Sequence, residues 1–387
     1  MNSFSTHNNF KAVIIGGGIG GLTMANALQQ VNIDFELYEQ APELTEVGAG
    51  IGLTNSTLTL LDMLGSGNEV RKKGTRIASV YLSDKQLQVR RKIPADSPGI
   101  CIHRATLIDI LKSSLPKNKI HLSKKVVHAE SHPDHAKIEF SDGEVIQSEC
   151  TIAADGVHSA IRKSVFPEIE IRYINQAIWR GISELETPDD MMQDSYIEIW
   201  DDHLRYLTVP YIDNKIFWLA VKPQPPSPNE SDKNVKEMLL EQFKEFHPVL
   251  KDLIRNSDTI IKNDMNDLGS PNRPWHHNRI VFIGDSIHAT TPNLAQGGCQ
   301  AIEDAVCLSL CLKAESSNLQ NAYQNYRQLR LKKVNHIVKT SWKFGIAAHS
   351  QNPFYHYLFR LLLEFAPASF ITRQEKLLND LSYLKQI

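Results

Sequence analysis

Six residues near the N-terminus, Gly16 to Gly21 (GGGIGG), restrict the possible folds of this chain more than any other segment. A short apolar run, Lys11–Ile15 (KAVII), precedes them, and a helical pattern that ends near Val31 follows them. A second apolar run, Phe35–Tyr38 (FELY), leads directly to Glu39. This order of strand, turn, helix and strand is typical of a βαβ unit, so the sequence predicts an α/β protein with a parallel sheet.

The glycine turn matches the spacing G-x-G-x-x-G, which predicts a dinucleotide site. One glycine allows the tight turn, one lets a pyrophosphate approach the backbone, and one lets the helix pack closely on the strand. The helix N-terminus offers unpaired N–H groups to the phosphates, and an acid after the second strand can accept both hydroxyls of an adenosine ribose. That acid disfavours a ribose phosphate, so NAD or FAD is favoured over NADP. The cofactor-binding residues predicted in this segment are Gly16, Gly18, Ile19, Gly20, Gly21 and Glu39.

A second helix start far downstream indicates which of the two cofactors, FAD or NAD, the chain binds. An apolar strand, Arg279–Ile283, delivers Asp285 to a loop, and Gln296, Gly297 and Gly298 begin another helix. A helix N-terminus aimed at the cofactor would stabilise negative charge on it. Nicotinamide does not become anionic on reduction, whereas a reduced flavin does. FAD therefore explains both glycine sites, while NAD explains only the first.

A further glycine cluster, Gly48–Gly52 (GAGIG), lacks the dinucleotide spacing and has no strand before it. It is therefore not a second dinucleotide site. Two interpretations stay open: a loop close to the cofactor, or a flexible turn that leads to a helix near Ser56–Leu64.

The pattern changes between about Arg172 and Val221, where strand-like runs follow one another without intervening helices. These runs predict an antiparallel sheet rich in aromatic residues, and a Pro-rich loop ends it. The strand Arg279–Ile283 then returns the chain to the first unit. The predicted fold is a Rossmann-like FAD-binding domain (1–171 and 265–330) interleaved with an antiparallel β-sheet substrate domain (172–264) and followed by C-terminal helices (331–387).

Apolar residues recur at helical spacing in the C-terminal segment, and two interpretations stay open for them. The face packs against the rest of the protein, which is the commoner role of such a pattern, or it binds a membrane surface or a partner. The residues that form it are Phe354, Tyr357, Leu358, Leu361, Leu362 and Phe365.

The composition of the chain limits which partners and which cellular compartment we expect for it. The 387 residues carry 42 Lys and Arg against 44 Asp and Glu, and so weak a net charge gives no reason to expect a nucleic acid partner. The first ten residues hold no Lys or Arg and no apolar core, which argues against a secretory signal, and no apolar run predicts a transmembrane helix. The five cysteines form no Cys-x-x-Cys pair, so we predict buried free thiols, no metal site and a cytoplasmic location.

Three motifs resemble those of a known family, in that family's order. They are GGGIGG at Gly16–Gly21, AADGVHSAIR at Ala153–Arg162, and the Gly-Asp segment from Arg279 to Asp304; the element His103–Leu107 matches as well. The sequence resembles the single-component FAD-dependent aromatic hydroxylases (flavoprotein monooxygenases) from residue 11 to about 330. Within them it looks most like the branch of salicylate and 3-hydroxybenzoate hydroxylases, FAD-dependent urate hydroxylases and zeaxanthin epoxidases.

The resemblance implies a role for each matching residue. The first glycine turn and Glu39 would hold the ADP half of FAD, and Arg104 would contact the ribityl–pyrophosphate region. Asp285 would bind a ribityl hydroxyl or a phosphate-side group, and Asp155 with Gly156 would serve both FAD and transient NAD(P)H binding. The residues implied at the flavin ring are Pro292, Gln296, Gly297 and Gly298.

The sequence departs from the family pattern at two positions. Gln40 replaces a frequent basic residue after the ribose acid, which removes one expected cofactor contact. Ala295 stands where many members have Gly, a change that would stiffen the loop beside the flavin.

Without the resemblance, the sequence Asp155-Gly156 would be interpreted as a plain turn.

The family implies a catalytic cycle in which NADH or NADPH reduces FAD, O2 adds to the reduced flavin, and the resulting flavin hydroperoxide hydroxylates an electron-rich ring. The protein must orient the ring and exclude water. Because the sequence contains one dinucleotide fold, we expect the nicotinamide cofactor to bind transiently.

On the substrate side, the aromatic sheet is the predicted lid of the pocket. Arg205 is the favoured contact to a substrate or flavin, because a guanidinium can pair with a carboxylate or enolate; the alternative is an Arg on a solvated face. His288 is a weaker candidate for a general base, and Pro292 lies beside it in the same loop. The predicted substrate-binding residues are Arg180, Tyr206, Phe217 and Trp218. The urate-specific branch has a Tyr where Phe217 aligns, so urate is disfavoured.

Three functions remain in competition. The leading one is an NAD(P)H- and O2-dependent FAD monooxygenase, a monomer or homodimer, that hydroxylates a small aromatic or heteroaromatic compound. The second is an epoxidase or a hydroxylase of secondary metabolism that acts on a larger apolar substrate. The third is a non-catalytic FAD-binding redox partner.

Overall fold

The fold is described from a computed structural model that covers residues 10–45, 50–185, 194–201, 203–211, 215–226, 232–350 and 352–387. The strands are β1 (Ala12–Ile15), β2 (Phe35–Tyr38), β3 (Gly50–Leu53), β4 (Thr75–Ser83), β5 (Val89–His103), β6 (Ile120–His121), β7 (Val126–Ser131), β8 (Ala136–Phe140), β9 (Val145–Ser148), β10 (Cys150–Ala153), β11 (Arg172–Ser183), β12 (Ser195–Asp201), β13 (Leu204–Pro210), β14 (Ile216–Pro223), β15 (Ser257–Asp267), β16 (His276–His277) and β17 (Ile280–Phe282). The helices are α1 (Ile19–Gln30), α2 (Asn55–Met63), α3 (Gly67–Lys73), α4 (Arg104–Ser113), α5 (Ala160–Val165), α6 (Asp232–Gln242), α7 (Pro248–Arg255), α8 (Asp285–His288), α9 (Gly297–Ala314), α10 (Leu319–Ala348), α11 (Pro353–Phe365) and α12 (Ala368–Leu378).

A six-stranded sheet in the order β16-β17-β10-β1-β2-β6 forms the first unit. Strand β1 lies between β10 and β2 and is parallel to both, and β10 is parallel to β17. All four residues of β1 are buried, as expected for a strand covered on both faces. The predicted α/β fold with a βαβ unit at its N-terminus is therefore confirmed. Strands β7, β8 and β9 form a small antiparallel sheet beside it.

The second sheet is wider than the sequence predicts. It has eight strands in the order β15-β11-β14-β13-β12-β4-β5-β3, so residues 50–103 contribute three of them. Its neighbouring strands are antiparallel except for β12 and β4, which run parallel. The parallel pair joins segments more than 100 residues apart in the sequence, and no local sequence pattern predicts such a contact. The division of the chain into domains at 171, 264 and 330 stays a prediction.

The two faces of this sheet have different neighbours. Helices α6 and α7 cover the outer face, which carries Trp179, Tyr206 and Trp218 in one apolar cluster. The inner face carries a separate apolar cluster whose buried members are Cys101, Leu207, Val209 and Phe217, hereafter the inner cluster. Adjacent residues such as Phe217 and Trp218 face opposite ways because side chains alternate along a strand.

The C-terminal third is helical, as predicted. Helix α10 runs for 30 residues, and α11 packs against it where the Phe359 ring lies 5.2 Å from that of Phe344. None of the helices in the described ranges is long and apolar enough to cross a membrane. All five cysteines are buried, as predicted. The cytoplasmic location stays a prediction.

A buried ionic network ties the C-terminal segment to α9. The guanidinium of Arg330 donates to Glu303 Oε2 at 2.6 Å and to Asp304 Oδ1 at 2.9 Å. Lys333 donates to Glu303 at 2.8 Å, and the Tyr383 hydroxyl donates to Glu303 Oε2 at 3.0 Å. Removing one partner of such a network leaves an uncompensated buried charge, which costs about 3–5 kcal/mol.

Asp304 gives this network a defined pH dependence. Burial raises the pKa of Asp304, but His288 and Arg330 outweigh burial and lower the pKa from 3.8 to about 2. Because the folded-state pKa is the lower one, the associated stability of about 2 kcal/mol is present above pH 4 and is lost as the pH falls towards 2.

We expect Asp304→Asn to lower the free energy of unfolding at pH 7 and to flatten its fall between about pH 4 and pH 2. Urea unfolding of the holoprotein at a series of pH values measures both effects. Asp258→Asn, at an exposed position, is the control and should change neither. An Asp304→Asn profile parallel to the native one would contradict the assignment.

Candidate functional site

The first glycine turn is held in place by two steric constraints. Gly16 has φ +108°, and a Cβ there would stand 2.4 Å from the Ala154 carbonyl oxygen. A Cβ at Gly21 would stand 1.8 Å from the Gly16 carbonyl oxygen, so α1 can approach β1 only with glycine at this position. Gly18 differs, because nothing lies within 4 Å of the place its Cβ would occupy. The open position is the one at which the motif predicts a pyrophosphate.

The N-terminus of α1 and the ribose acid fit an anionic ligand with a ribose. Gly18 is the N-cap of α1, no side chain caps the helix, and its first turn carries no acidic residue. Glu39 accepts hydrogen bonds from the backbone N–H groups of Gly17 at 2.5 Å and Ala41 at 2.8 Å. These bonds orient the carboxylate, and each of its oxygens keeps a lone pair for a hydroxyl.

The second helix start lies directly beside the first. A Cβ at Gly20 would stand 3.3 Å from the Ala301 Cβ of α9, and one at Gly298 would stand 3.9 Å from Ile19 Cδ1. Helix α9 begins at Gly297 with Gln296 as its N-cap and, like α1, has neither a side-chain cap nor an acidic first turn. Two uncapped helix N-termini therefore lie side by side.

Strand β3 lies against the start of α9. A Cβ at Gly298 would stand 2.6 Å from Ile51 Cδ1, and the Cys299 thiol lies 3.5 Å from the Gly52 carbonyl oxygen. Of the glycine cluster at 48–52, Gly50 and Gly52 thus belong to a strand beside the site, while Gly48 and Ala49 lie outside the described residues. This placement supports the interpretation as a segment close to the cofactor and corrects the alternative of a flexible turn.

Two acidic side chains predicted from the family motifs, Asp155 and Asp285, lie beside the two helix starts. The Oδ1 atom of Asp155 is buried without a hydrogen-bond partner in the described structure, and burial raises the pKa of this carboxyl. Asp285 is exposed in this structure. Desolvation by the neighbouring protein raises the pKa of its carboxyl, although His288 and Arg104 act in the opposite direction. A Cβ at Gly297 would stand 3.7 Å from Asp285 Oδ1.

These observations fit FAD. Gly16–Gly21 and Glu39 would hold its ADP half, and the unpartnered Asp155 oxygen and Asp285 supply acceptors for its hydroxyls. The first turn of α9 offers uncapped N–H groups to negative charge on the flavin. No group of three His, Cys, Asp or Glu side chains in the described ranges is arranged to hold a metal ion.

The loop before α9 is fastened to α10. Pro292–Leu294 forms a 3-10 turn, and Asn293 Nδ2 donates to the Ser341 carbonyl oxygen at 3.1 Å. Ala295 follows in the left-handed region at φ +52°, which costs an alanine about 1 kcal/mol and explains why many family members carry Gly there. Sequence reasoning missed Ser341; the signal was Gly345, where a Cβ would stand 2.5 Å from Asn293 Nδ2.

His288 is buried in the ionic network, and this argues against a role as general base. Its Nε2 atom lies 2.5 Å from Asp304 Oδ2, and its ring packs on Trp275 with centroids 4.9 Å apart. The His288 side chain is only 3% exposed, which leaves a substrate little access to its other ring nitrogen.

The structure separates the predicted substrate residues by face. Phe217 belongs to the inner cluster, whereas Tyr206 and Trp218 stack on each other beneath α6 and α7, with ring centroids 5.6 Å apart. The prediction that Tyr206 and Trp218 line the pocket is thereby corrected: both are core residues of the outer face. Because side chains alternate along a strand, neighbouring residues must face opposite ways, but the alternation does not show which of the two faces the cofactor.

The two arginines predicted on this sheet already have partners. Arg205 is buried with its Nε 2.9 Å from Glu198 Oε1, an ion pair rather than a well-aligned hydrogen bond, and its guanidinium lies over the Trp200 ring at 5.2 Å. Arg180 donates a short hydrogen bond to Asn263 Oδ1. A substrate carboxylate at Arg205 would have to compete with Glu198.

The eight-stranded sheet curls so that its inner face reaches β3. A Cβ at Gly50 would stand 3.1 Å from the Phe217 ring and 3.1 Å from the Cys101 sulfur, although four strands separate β14 from β3 in the sheet order. The inner cluster thus lies across β3 from the first turn of α9.

A parallel sheet with a glycine turn, a second helix start beside it and a curled sheet above define the class of FAD-dependent oxidoreductases. The chain belongs to the FAD binding domain family, whose model matches residues 9–341, and is an FAD-dependent monooxygenase of the aromatic hydroxylase type.

Relatives and solved structures agree with this membership. Aurachin C monooxygenase/isomerase of Stigmatella aurantiaca is 32% identical, with 88% of this chain and 90% of that protein covered. The 2-heptyl-3-hydroxy-4(1H)-quinolone synthase of Pseudomonas aeruginosa is 26% identical, with 92% and 94% covered. The structure of Klebsiella pneumoniae HpxO with FAD and uric acid superposes with a TM-score of 0.88 over 96% of this chain and 98% of that one; at 24% identity it shows the fold alone.

We expect Gly18→Ala to weaken FAD binding at least about tenfold while the apoprotein keeps its melting temperature, because the added methyl group fills open space at the pyrophosphate position. Fluorescence titration of the apoprotein with FAD measures the affinity. Gly21→Ala is the contrasting variant: its methyl group would collide with Gly16, so we expect loss of the folded protein. Equal FAD affinity for Gly18→Ala and the native chain would refute this assignment.

Proposed function

We propose that the chain catalyses the NADH- or NADPH- and O2-dependent hydroxylation of a small aromatic or heteroaromatic compound. The observation that carries the proposal is the contact of Phe217 with Gly50, because it closes the apolar inner cluster over the strand that touches the start of α9. A flat apolar ring fits between such a cluster and a flavin.

Each part of the site has a task in this reaction. The glycine turn and Glu39 would bind the ADP half of FAD. The central part of FAD would be bound by Arg104, Asp155 and Asp285. Pro292 and Gln296–Gly298 would lie at its ring. When bound, FAD supplies the chemistry with O2 that inserts one oxygen atom into the substrate.

The chain's own contribution is orientation and exclusion of water. Leu207, Val209 and Phe217 would present apolar surface to a bound ring and keep water away from the reacting atoms. The described residues contain one parallel sheet with a glycine turn, so NADH or NADPH would bind transiently at the same cleft.

A larger apolar substrate is the second candidate. The inner cluster contains no charged side chain, and one relative is named for a quinolone with a heptyl chain, 2-heptyl-3-hydroxy-4(1H)-quinolone synthase. A quinolone with an apolar tail therefore belongs in the substrate panel beside hydroxybenzoates, 6-hydroxynicotinate and urate.

Purified holoprotein should be yellow and should oxidise NADH or NADPH faster when its substrate is present. Oxidation and O2 uptake, measured across the panel, identify the substrate, and mass spectrometry should show a product heavier by one oxygen. Protein without flavin absorbance would end the proposal. If photoreduced holoprotein returns to the oxidised spectrum in O2 without product from any compound, a non-catalytic redox role is favoured instead.

We expect Phe217→Leu to raise the KM for the substrate about threefold to tenfold, because one aromatic contact is lost from the inner cluster. Trp218→Leu, the next residue on the same strand, should leave KM unchanged and lower the melting temperature, since it opens a cavity in the outer face. Steady-state kinetics and thermal melts of both variants make the comparison. A KM raised by Trp218→Leu alone would contradict the assignment of faces.

A further inference from the structure

The apolar pattern of α11 is exposed to solvent. Six large side chains of this helix are between 44% and 73% exposed, and single-chain proteins rarely leave so contiguous a patch uncovered. We call these residues the α11 face: Phe354, Tyr355, Tyr357, Leu358, Leu362 and Phe365. The interpretation that this pattern packs against the rest of the protein is therefore wrong for all of its residues but Leu361, which is half-buried.

The α11 face is exposed although α11 itself is packed against the rest of the protein. The other side of α11 packs through Phe359, whose ring centroid lies 5.4 Å from that of Trp200. At the C-terminal end, Arg91 donates to the carbonyl oxygens of Leu363 at 2.9 Å and Ala366 at 2.6 Å. Helix α11 thus has a fixed rotation, and the α11 face is held outward.

Helix α12 extends the same surface and is anchored equally firmly. Glu375 accepts hydrogen bonds from the backbone N–H groups of Asp96 at 3.2 Å and Ser97 at 2.8 Å. Phe370, on the exposed side of α12, is 49% exposed.

Most of the exposed charges of this region are basic. In the described part of residues 332–380, the exposed basic side chains are Lys332, Lys339, Lys343, Arg373 and Lys376, and the exposed acidic one is Asp380. Asp96, whose backbone contacts α12, is exposed as well, whereas Glu364 and Glu375 are partly buried. An aromatic-rich apolar helix face accompanied by exposed Lys and Arg is the pattern of a helix that lies in a membrane interface.

We propose that α11 and α12 dock this protein on the surface of a lipid bilayer that carries anionic headgroups. The aromatic and leucine side chains of the α11 face enter the boundary between headgroups and acyl chains, and the lysines and arginines contact the phosphates. No described helix is long and apolar enough to cross a membrane; the proposed contact is with the surface of the bilayer.

Charge complementarity favours a lipid surface over a second copy of the chain. A two-fold interface places the same patch on both sides, so the basic residues around it would face a second basic set. Anionic headgroups balance those charges instead, at about a fivefold gain in binding for each Lys or Arg near the surface.

Sedimentation of the holoprotein with vesicles tests the proposal. We expect binding to vesicles of phosphatidylcholine with phosphatidylglycerol, weaker binding to phosphatidylcholine alone, and release by salt. The double substitution Leu362→Ser with Phe365→Ser should lower binding at least about tenfold. Lys339→Gln with Lys343→Gln should lower binding to the anionic vesicles about 25-fold, fivefold for each lysine, and leave binding to phosphatidylcholine unchanged.

Val127→Ser with Val145→Ser is the matched control, since these valines are 49% and 46% exposed on β7 and β9. It should bind as the native chain does. All variants must keep the flavin absorbance and the melting temperature of the native holoprotein, which separates a docking defect from a folding defect.

Two outcomes would overturn the proposal. The first is native holoprotein that binds neither vesicle. The second is a dimer in light scattering that Leu362→Ser with Phe365→Ser dissociates, without any vesicle binding, because the α11 face would then join two copies of the chain. The measurement needs no substrate, so its result is independent of the proposed hydroxylation.

Discussion

Helix α1 approaches β1 so closely that residue 21 can carry no side chain, and the position of the whole site depends on this contact. With Gly21 against the Gly16 carbonyl, α1 lies at the end of the parallel sheet, where Gly20 meets Ala301 of α9. The same approach therefore brings two helix N-termini together, and in our proposal each would face one negatively charged part of FAD. Two partial positive charges at one place would repel, and an anionic ligand between them removes that cost.

The far side of α9 is fixed by charge rather than by close approach. Arg330 joins Glu303, Asp304 and Gln300, and Gln300 in turn donates to Gln296 Oε1 at 3.1 Å, so the ionic network reaches the N-cap of α9. Because Tyr383 also donates to Glu303, the last residues of the chain hold the helix whose first turn lies at the site. A C-terminal segment outside the family match thus supports the cofactor cleft.

The sequence predicts well whatever a local signal determines. Gly16–Gly21, β1, α1 and the start of α9 could be placed because strand, turn and helix signals lie within a few residues of one another. Contacts between distant segments left no such signal, and β4 joining β12 is the main example. The facing of Phe217 and Trp218 could not be assigned, since alternation gives two equivalent choices until the covering helices are known. The burial of His288 against Asp304 could not be predicted, because Asp304 is 16 residues away on another helix.

The end of the inner face and the α11 face share one layer of side chains. Trp200 pairs in register with Arg205 on the inner face, and its ring also packs against Phe359 of α11. Phe344 of α10 contacts both groups, with its ring 5.2 Å from that of Phe359 and 5.7 Å from the Arg205 guanidinium. A helix held by a bilayer would therefore be one side chain away from the curled sheet. Arg205 is balanced by Glu198 and lies against the rings of Trp200 and Phe344, so an ion pair and aromatic packing together join the inner face to α11.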